Sequence, residues 1–179
     1  QWQTVPGDDI ETVDITDLCS DFEACATIDS HGHTFRAALP AGCEPTGRNG
    51  WTGYHFDAET FKRYQGEIES LATDVTVRAR KNTRRRPYRF DGDDFVRFIG
   101  WFVTEGSTTW RTDRDTAVVS IAQKTDEHRT QLRELFNRMG IDCSISESGF
   151  SFGSTLYADL LEELCGASSQ SKRLPDFVW

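Results

Sequence analysis

The stretch Phe95 to Ser107, FVRFIGWFVTEGS, constrains this chain more than any other, because it is apolar almost all the way round a helix. A helix opening at Asp91, Asp93 and Asp94 puts Phe95, Phe98, Ile99 and Phe102 on one face, the i, i+3, i+4, i+7 set of a buried stripe. Val96, Gly100 and Val103 form a second apolar stripe. A helix apolar on two faces needs cover on both. Its interior glycine costs about 1 kcal/mol against Ala, so Gly100 implies a close approach that a side chain would prevent. Glu105 falls at the C-terminal end, where the helix dipole disfavours an anion by roughly 0.3–1 kcal/mol. A cation is expected beside it.

The chain after this helix alternates cleanly. Ser107 to Thr112 and Thr116 to Lys124 read as a hairpin, with Trp110, Val119 and Ile121 inward and Thr109, Arg111, Ser120, Ala122 and Lys124 outward, and Arg114 in the turn. Asp126 to Met139 reads as a helix with Leu132, Leu135, Phe136 and Met139 as its stripe and Gly140 as its stop. Ile141 to Glu147 and Phe150 to Gly153 form a second hairpin. Its inward set is Ile141, Cys143, Ile145, Phe150 and Phe152, and its outward set is Ser144, Ser146 and Ser151. Thr155 to Cys165 is a final helix. The order is αββαββα, with a small, hydroxylic and basic outer sheet face that suits either solvent or a nucleic-acid groove.

Residues 1–56 read as β-rich, with strands at Trp2 to Val5, Glu23 to Ile28 and His33 to Leu39, and the chain opens in the middle of an apparent strand. Cys19, Cys25, His31, His33 and Cys43 match no paired metal-ligand spacing and are read as loop and core residues. Residues 57–74 read as a helix capped by Asp57. The class is therefore α+β: a mainly β N-terminal region (1–56), a helix (57–74), a basic linker or arm (75–90) and an αββαββα unit (91–179).

Charge is segregated. The net charge is −9, made of −10 over residues 1–74, +7 over 75–90 and −6 over 91–179. The +7 stretch carries Arg78, Arg80, Lys81, Arg84, Arg85, Arg86 and Arg89 and no acid. It reads either as a solvated linker or as an arm that contacts phosphates. Few lysines and many aspartates resemble the acidic surfaces of salt-loving microbes, so net charge argues little against DNA binding. No long apolar run marks a membrane span, no basic-then-apolar leader is visible, and five cysteines without a dense framework fit a reducing cytoplasm.

FIGWFVTEG resembles the LAGLIDADG motif of homing endonucleases, and the order over 91–166 is similar to one half of that fold. Gly100 matches the motif's first glycine, Glu105 its acid and Gly106 its last glycine, with Glu in place of the commoner Asp. The segment Gly166 to Phe177, ending KRLPDF, resembles the lysine-bearing block of intein-encoded members. The resemblance implies a metal-dependent endonuclease acting on double-stranded DNA. Its helix packs against a second LAGLIDADG half, from a homodimer or a missing C-terminal segment, through Val96, Gly100 and Val103. It implies Mg2+, with other divalent ions able to substitute, held by Glu105 and the Thr104 carbonyl, and Lys172 acting on the attacking water or the phosphate charge. The DNA-contacting set would be the basic stretch with Thr109, Arg111, Arg114, Ser120, Lys124, Ser144, Ser146 and Ser151. A fragment of a halophilic archaeal intein, or a related single-motif endonuclease that dimerises, is the expected source, and with no nucleophilic first cysteine or terminal His-Asn pair the chain is not expected to splice. Two alternatives stay open: a degenerate member that binds nucleic acid without cutting, and a homodimerising interaction domain unrelated to DNA.

Overall fold

A computed structural model describes residues 11–29, 31–79, 84–111 and 116–176. The fold is α+β, as the sequence implies. Two four-stranded antiparallel sheets are joined by a two-stranded ribbon.

The first sheet is built from β2 (Glu23–Thr27), β3 (Gly47–Asn49), β4 (Gly53–Asp57) and β5 (Asp74–Arg78), in the order β3-β4-β2-β5. Its inner face, Ala24, Ala26, Tyr54, Phe56 and Val77, is buried. Helix α2 (Ala58–Leu71) covers that face with Phe61 and Ile68. Asp57 caps α2 by accepting from the Thr60 amide at 2.8 Å, as expected. His33 to Leu39, expected as a strand, lies instead within and just past helix α1 (Gly32–Ala38). Phe35 is its one buried residue, packed 4.9 Å from the Tyr54 ring. Leu39, four residues on, also packs partly against the core, a spacing that one helical turn also provides. The expected strand at Trp2 to Val5 lies outside the described residues.

Residues 75–90, expected as linker or arm, contribute most of β5 and the start of β6 (Arg89–Asp91), which pairs with β1 (Thr12–Asp14). Between them Val77 and Arg86 exchange backbone hydrogen bonds of 2.9 and 2.8 Å. The basic stretch is therefore threaded through the structure at both ends.

The second part runs α3 (Gly92–Glu105), β7 (Gly106–Trp110), β8 (Ala117–Ala122), α4 (Asp126–Met139), β9 (Ser144–Ser146), β10 (Gly149–Gly153), α5 (Thr155–Cys165). Its sheet order is β7-β8-β10-β9. Phe95, Phe98, Ile99 and Phe102 are all buried, as the period requires. Phe98 meets Phe136 of α4, Phe152 of β10 and Tyr157 of α5 at ring distances of 6.1, 6.4 and 6.5 Å. Such clusters add to plain burial through edge-to-face geometry. At the end of α4, Gly140 is left-handed (φ 66) and the amides of Gly140 and Ile141 bond back to Asn137 and Phe136, which closes the helix carbonyls. One expected core residue differs: Ile145 is 46% exposed, on β9, a three-residue strand at the edge of the sheet. Trp110 is half-buried, its indole donating to Glu162 of α5 at 2.7 Å. Among the described residues no helix is long and apolar enough to cross a membrane.

Candidate functional site

Helix α3 is fixed at both ends. At its start Asp91 accepts from the Asp94 amide at 3.1 Å. Asp94, buried, takes a forked pair of bonds from Arg138 of α4, Nε to Oδ2 at 3.0 Å and Nη2 to Oδ1 at 2.8 Å. The Arg138 hydrogen bonds hold the Asp94 carboxyl below its ordinary range.

At its other end stand Glu105 and Lys172. After α5 the chain turns at Gly166 (φ 91), and the Arg173 amide bonds to the Cys165 carbonyl at 2.8 Å. That turn carries Lys172 back beneath α3. Its ammonium donates to the carbonyl of Phe102 at 2.7 Å and to that of Gly106, and lies 4.7 Å from the centre of the Phe102 ring. The cation anticipated at this end of the dipole is thus Lys172. Burial lowers its pKa, opposed by the fields of Cys165 and Glu105. Two of its three N–H donors go to the helix end, leaving one. Glu105 is exposed. The Thr104 hydroxyl donates to the Gly100 carbonyl at 3.0 Å, while its own carbonyl belongs to the last turn, where no intrahelical donor follows. Glu105, Thr104 and Lys172 are therefore brought to one helix end. Among the described residues no three His, Cys, Asp or Glu side chains converge as a metal cage.

The second stripe of α3 is only half-buried. A methyl group placed on Gly100 would meet nothing within 4 Å. Val96 and Val103 flank the same open strip, Val103 resting partly on the core.

The outer face of the second sheet carries the expected hydroxyls in a definite register. Ser107 pairs with Ser120, Ser120 with Ser151, and Ser151 with Ser144, so four serines form one row across all four strands. Ser107, the row's first member, was missed, although it follows Glu105 at strand spacing and is exposed. Thr109, Arg111, Lys124, Ser144 and Ser146 are exposed, and Ser120 and Ser151 half-buried. Val118 also faces outward, 38% exposed between Thr109 and Gly153; the alternation of β8 would have shown it.

The basic stretch divides. Arg78 is ion-paired with Glu23 at 2.6 Å and donates to Nδ1 of His55 at 3.2 Å. Burial and the Arg78 charge lower the His55 pKa. Arg89 bonds to Asp14 at 3.2 Å and to Glu69 at 2.9 Å. Arg86 is buried, its Nη2 donating to the Gly153 carbonyl at 2.8 Å and its Nη1 to that of Asp142 at 3.3 Å. These three, expected on a nucleic-acid surface, instead tie sheet to sheet and ribbon to helix, because each stands where neighbouring strands leave acids or carbonyls to satisfy. Arg84 and Arg85 line a cavity of about 580 Å³ with Ser144 and Ser151. Arg80, Lys81 and Arg114 lie outside the described residues.

Cys25 and Cys43 are buried free thiols and Cys19 a half-buried one; burial pushes Cys19 up to about 12. His31 and His33 are exposed on and before α1.

Compared with models of protein families the chain matches none. No curated protein matches it at a significant level.

Proposed function

We propose that this chain is one half of a LAGLIDADG-type endonuclease, binding double-stranded DNA on the outer face of its second sheet and cutting it in concert with a second half. The observation that carries the reading is Glu105. It is an exposed carboxylate at the end of a helix whose far face is open at Gly100, and it leads directly into the strand that begins the serine row. A helix of this kind meets its like through Val96, Gly100 and Val103, and the meeting brings two carboxylates to one end.

A divalent ion such as Mg2+ fits the donors present only as a shared site. One chain offers the Glu105 carboxylate and the Thr104 carbonyl, and Mg2+ keeps several waters and needs few protein ligands. When bound, the ion activates water and stabilises the leaving oxygen in phosphodiester hydrolysis. Lys172 holds the helix end that aims Glu105 and has one N–H to offer a phosphate oxygen. The serine row and Arg84 and Arg85 hold and orient the duplex through phosphates and base edges. An acidic, arginine-rich exterior agrees with work at high salt.

One specific observation favours the second reading, binding without cleavage: Lys172 gives two of its three donors to backbone carbonyls, a structural role that survives loss of activity. The experiment that separates the readings measures binding and cleavage of a randomised duplex library with Mg2+. Glu105→Gln is expected to keep binding and lose cleavage. Undiminished cleavage in that variant overturns the nuclease reading, and binding without cleavage in the native protein selects the second.

A further inference from the structure

The chain has two places where an amide or acid side chain directly precedes glycine, Asn49–Gly50 and Asp91–Gly92, and the fold leaves one open and locks the other. We propose that Asn49–Gly50 is a modification site, where the asparagine amide is hydrolysed without an enzyme and the change releases β3 from its sheet.

Gly50 heads the turn from β3 to β4 with φ 67, a left-handed value that favours glycine. It is exposed, its amide donates no backbone hydrogen bond among the described residues, and a methyl group placed on it would meet nothing within 4 Å. Its nitrogen is therefore unshielded and free to act as a nucleophile. Asn49 is exposed too, and its side-chain amide makes no hydrogen bond among the described residues. Asp91–Gly92 is the contrast. The Asp91 carboxylate accepts from the Asp94 amide at 3.1 Å, the Gly92 amide donates to the Glu11 carbonyl at 3.2 Å, and Gly92 is buried in the first turn of α3. Attack there has to break both bonds and open the helix start.

At Asn49 the reaction needs only water. Hydroxide takes the proton from the Gly50 nitrogen, which attacks Asn49 Cγ. The new N–C bond forms, the Cγ–Nδ2 bond breaks, and the leaving nitrogen takes a proton from water and departs as ammonia. The cyclic imide that remains is opened by water at Cγ to give aspartate, or at the main-chain carbonyl to give isoaspartate, whose backbone runs through Cγ. Closing the imide turns the Asn49 backbone out of its extended conformation. That takes Asn49 off Gly53 but disturbs little else, because β3 has three residues, lies at the sheet edge and pairs only with β4. Such ends open at the lowest cost in a fold. Isoaspartate then prevents closure. Asn49 and Gly53 meet at a distance only glycine permits: a Cβ on Gly53 would lie 2.7 Å from the Asn49 carbonyl oxygen and 3.3 Å from Asn49 Cβ. An extra backbone carbon at Asn49 has no room in that pair and shifts the register of the strand.

The test incubates the full chain, folded and in urea, in mildly alkaline buffer. Peptide mass spectrometry follows Asn49 and Asp91, and methyl transfer by an isoaspartyl methyltransferase reports isoaspartate. Asn49 should convert in the folded chain at a rate near that of the unfolded one, and Asp91 only in urea. Methyl transfer to the folded chain should disappear in Asn49→Gln, whose longer side chain closes the ring poorly. The purified converted chain should melt roughly 2–4 °C below the native one. Protection of Asn49 in the folded chain as strong as that of Asp91, or undiminished methyl transfer in Asn49→Gln, overturns the site. Conversion with an unchanged Tm overturns the release of β3.

Discussion

Gly100→Ala separates a helix that is merely exposed from one that is an interface. In the isolated chain the new methyl group meets nothing within 4 Å, and Gly100 has no positive φ to lose. The Thr104 hydroxyl bonds to its backbone carbonyl, which the substitution keeps. The monomer should therefore gain about 1 kcal/mol from helix propensity, or roughly 2–4 °C in Tm for a chain of this size. Where two copies meet across Val96, Gly100 and Val103, the same methyl group enters the contact twice. Overpacking costs about 1–3 kcal/mol for each, so the dimer dissociation constant should rise by tenfold or more. Sedimentation equilibrium on both proteins, with melts across protein concentration, reads both effects. The expected pattern is a higher Tm when dilute, weaker association when concentrated, and slower cleavage. A uniform gain in Tm at every concentration, with association and cleavage unchanged, refutes the interface.

Two further outcomes follow from the ends of α3 and the ribbon. Lys172→Met should lower stability by about 1–3 kcal/mol in chemical denaturation, because the carbonyls of Phe102 and Gly106 lose their charged donor, while Lys172→Arg keeps most of the stability; equal stability of native and Met forms would show the cap to be idle. Acid should unfold the chain through Asp94 and Glu69. Arg138 bonds depress the first carboxyl; burial pushes the second up but is outweighed by hydrogen bonds from Tyr88, Gln65 and Arg89. Their contribution is full above the unfolded values of 3.8 and 4.5 and is lost as pH falls below them. In Asp94→Asn, melts between pH 5 and pH 2 should show a shallower decline, and a decline as steep as that of the native chain would remove Asp94 from the account.

The second half of the chain was largely legible because its signals are local. Phe95, Phe98, Ile99 and Phe102 fall on one helical stripe, Gly140 stops α4, and Ser-Gly turns a hairpin. The register that lines up Ser107, Ser120, Ser151 and Ser144 was not legible, since alternation assigns a face to each residue but not a partner on the next strand. The basic stretch misled for a related reason. A run of arginines gives the sign of the field, whereas the partners of Arg78, Arg86 and Arg89 lie 20 to 75 residues away in sequence. Segment 33–39 failed at the opposite scale: Phe35 and Leu39, four residues apart, fit either period.

What the packing of α3 leaves unused is informative. Asp91 and Asp94 are accounted for by the cap and by Arg138, the four large apolar residues by the core, and Thr104 by a bond to its own helix. Beside Asp93, Arg97 and the half-buried Trp101, three small or β-branched positions and the C-terminal acid remain. Val96 and Val103 lower helix propensity slightly against Leu, and Gly100 does so strongly; Glu105 stands at the unfavourable end of the dipole. Beyond the partial packing of Val103 on the core, folding of one chain gains little from these choices, and Lys172 only offsets the last. All four occur on the open strip of α3 or at its end, where a second helix would bring another carboxylate beside Glu105. A helix shaped only by its own domain would put a strong helix former such as Ala or Lys at 100 and a Lys or Arg at 105, so the departure at both positions is the strongest physical argument that α3 acts on something outside this chain.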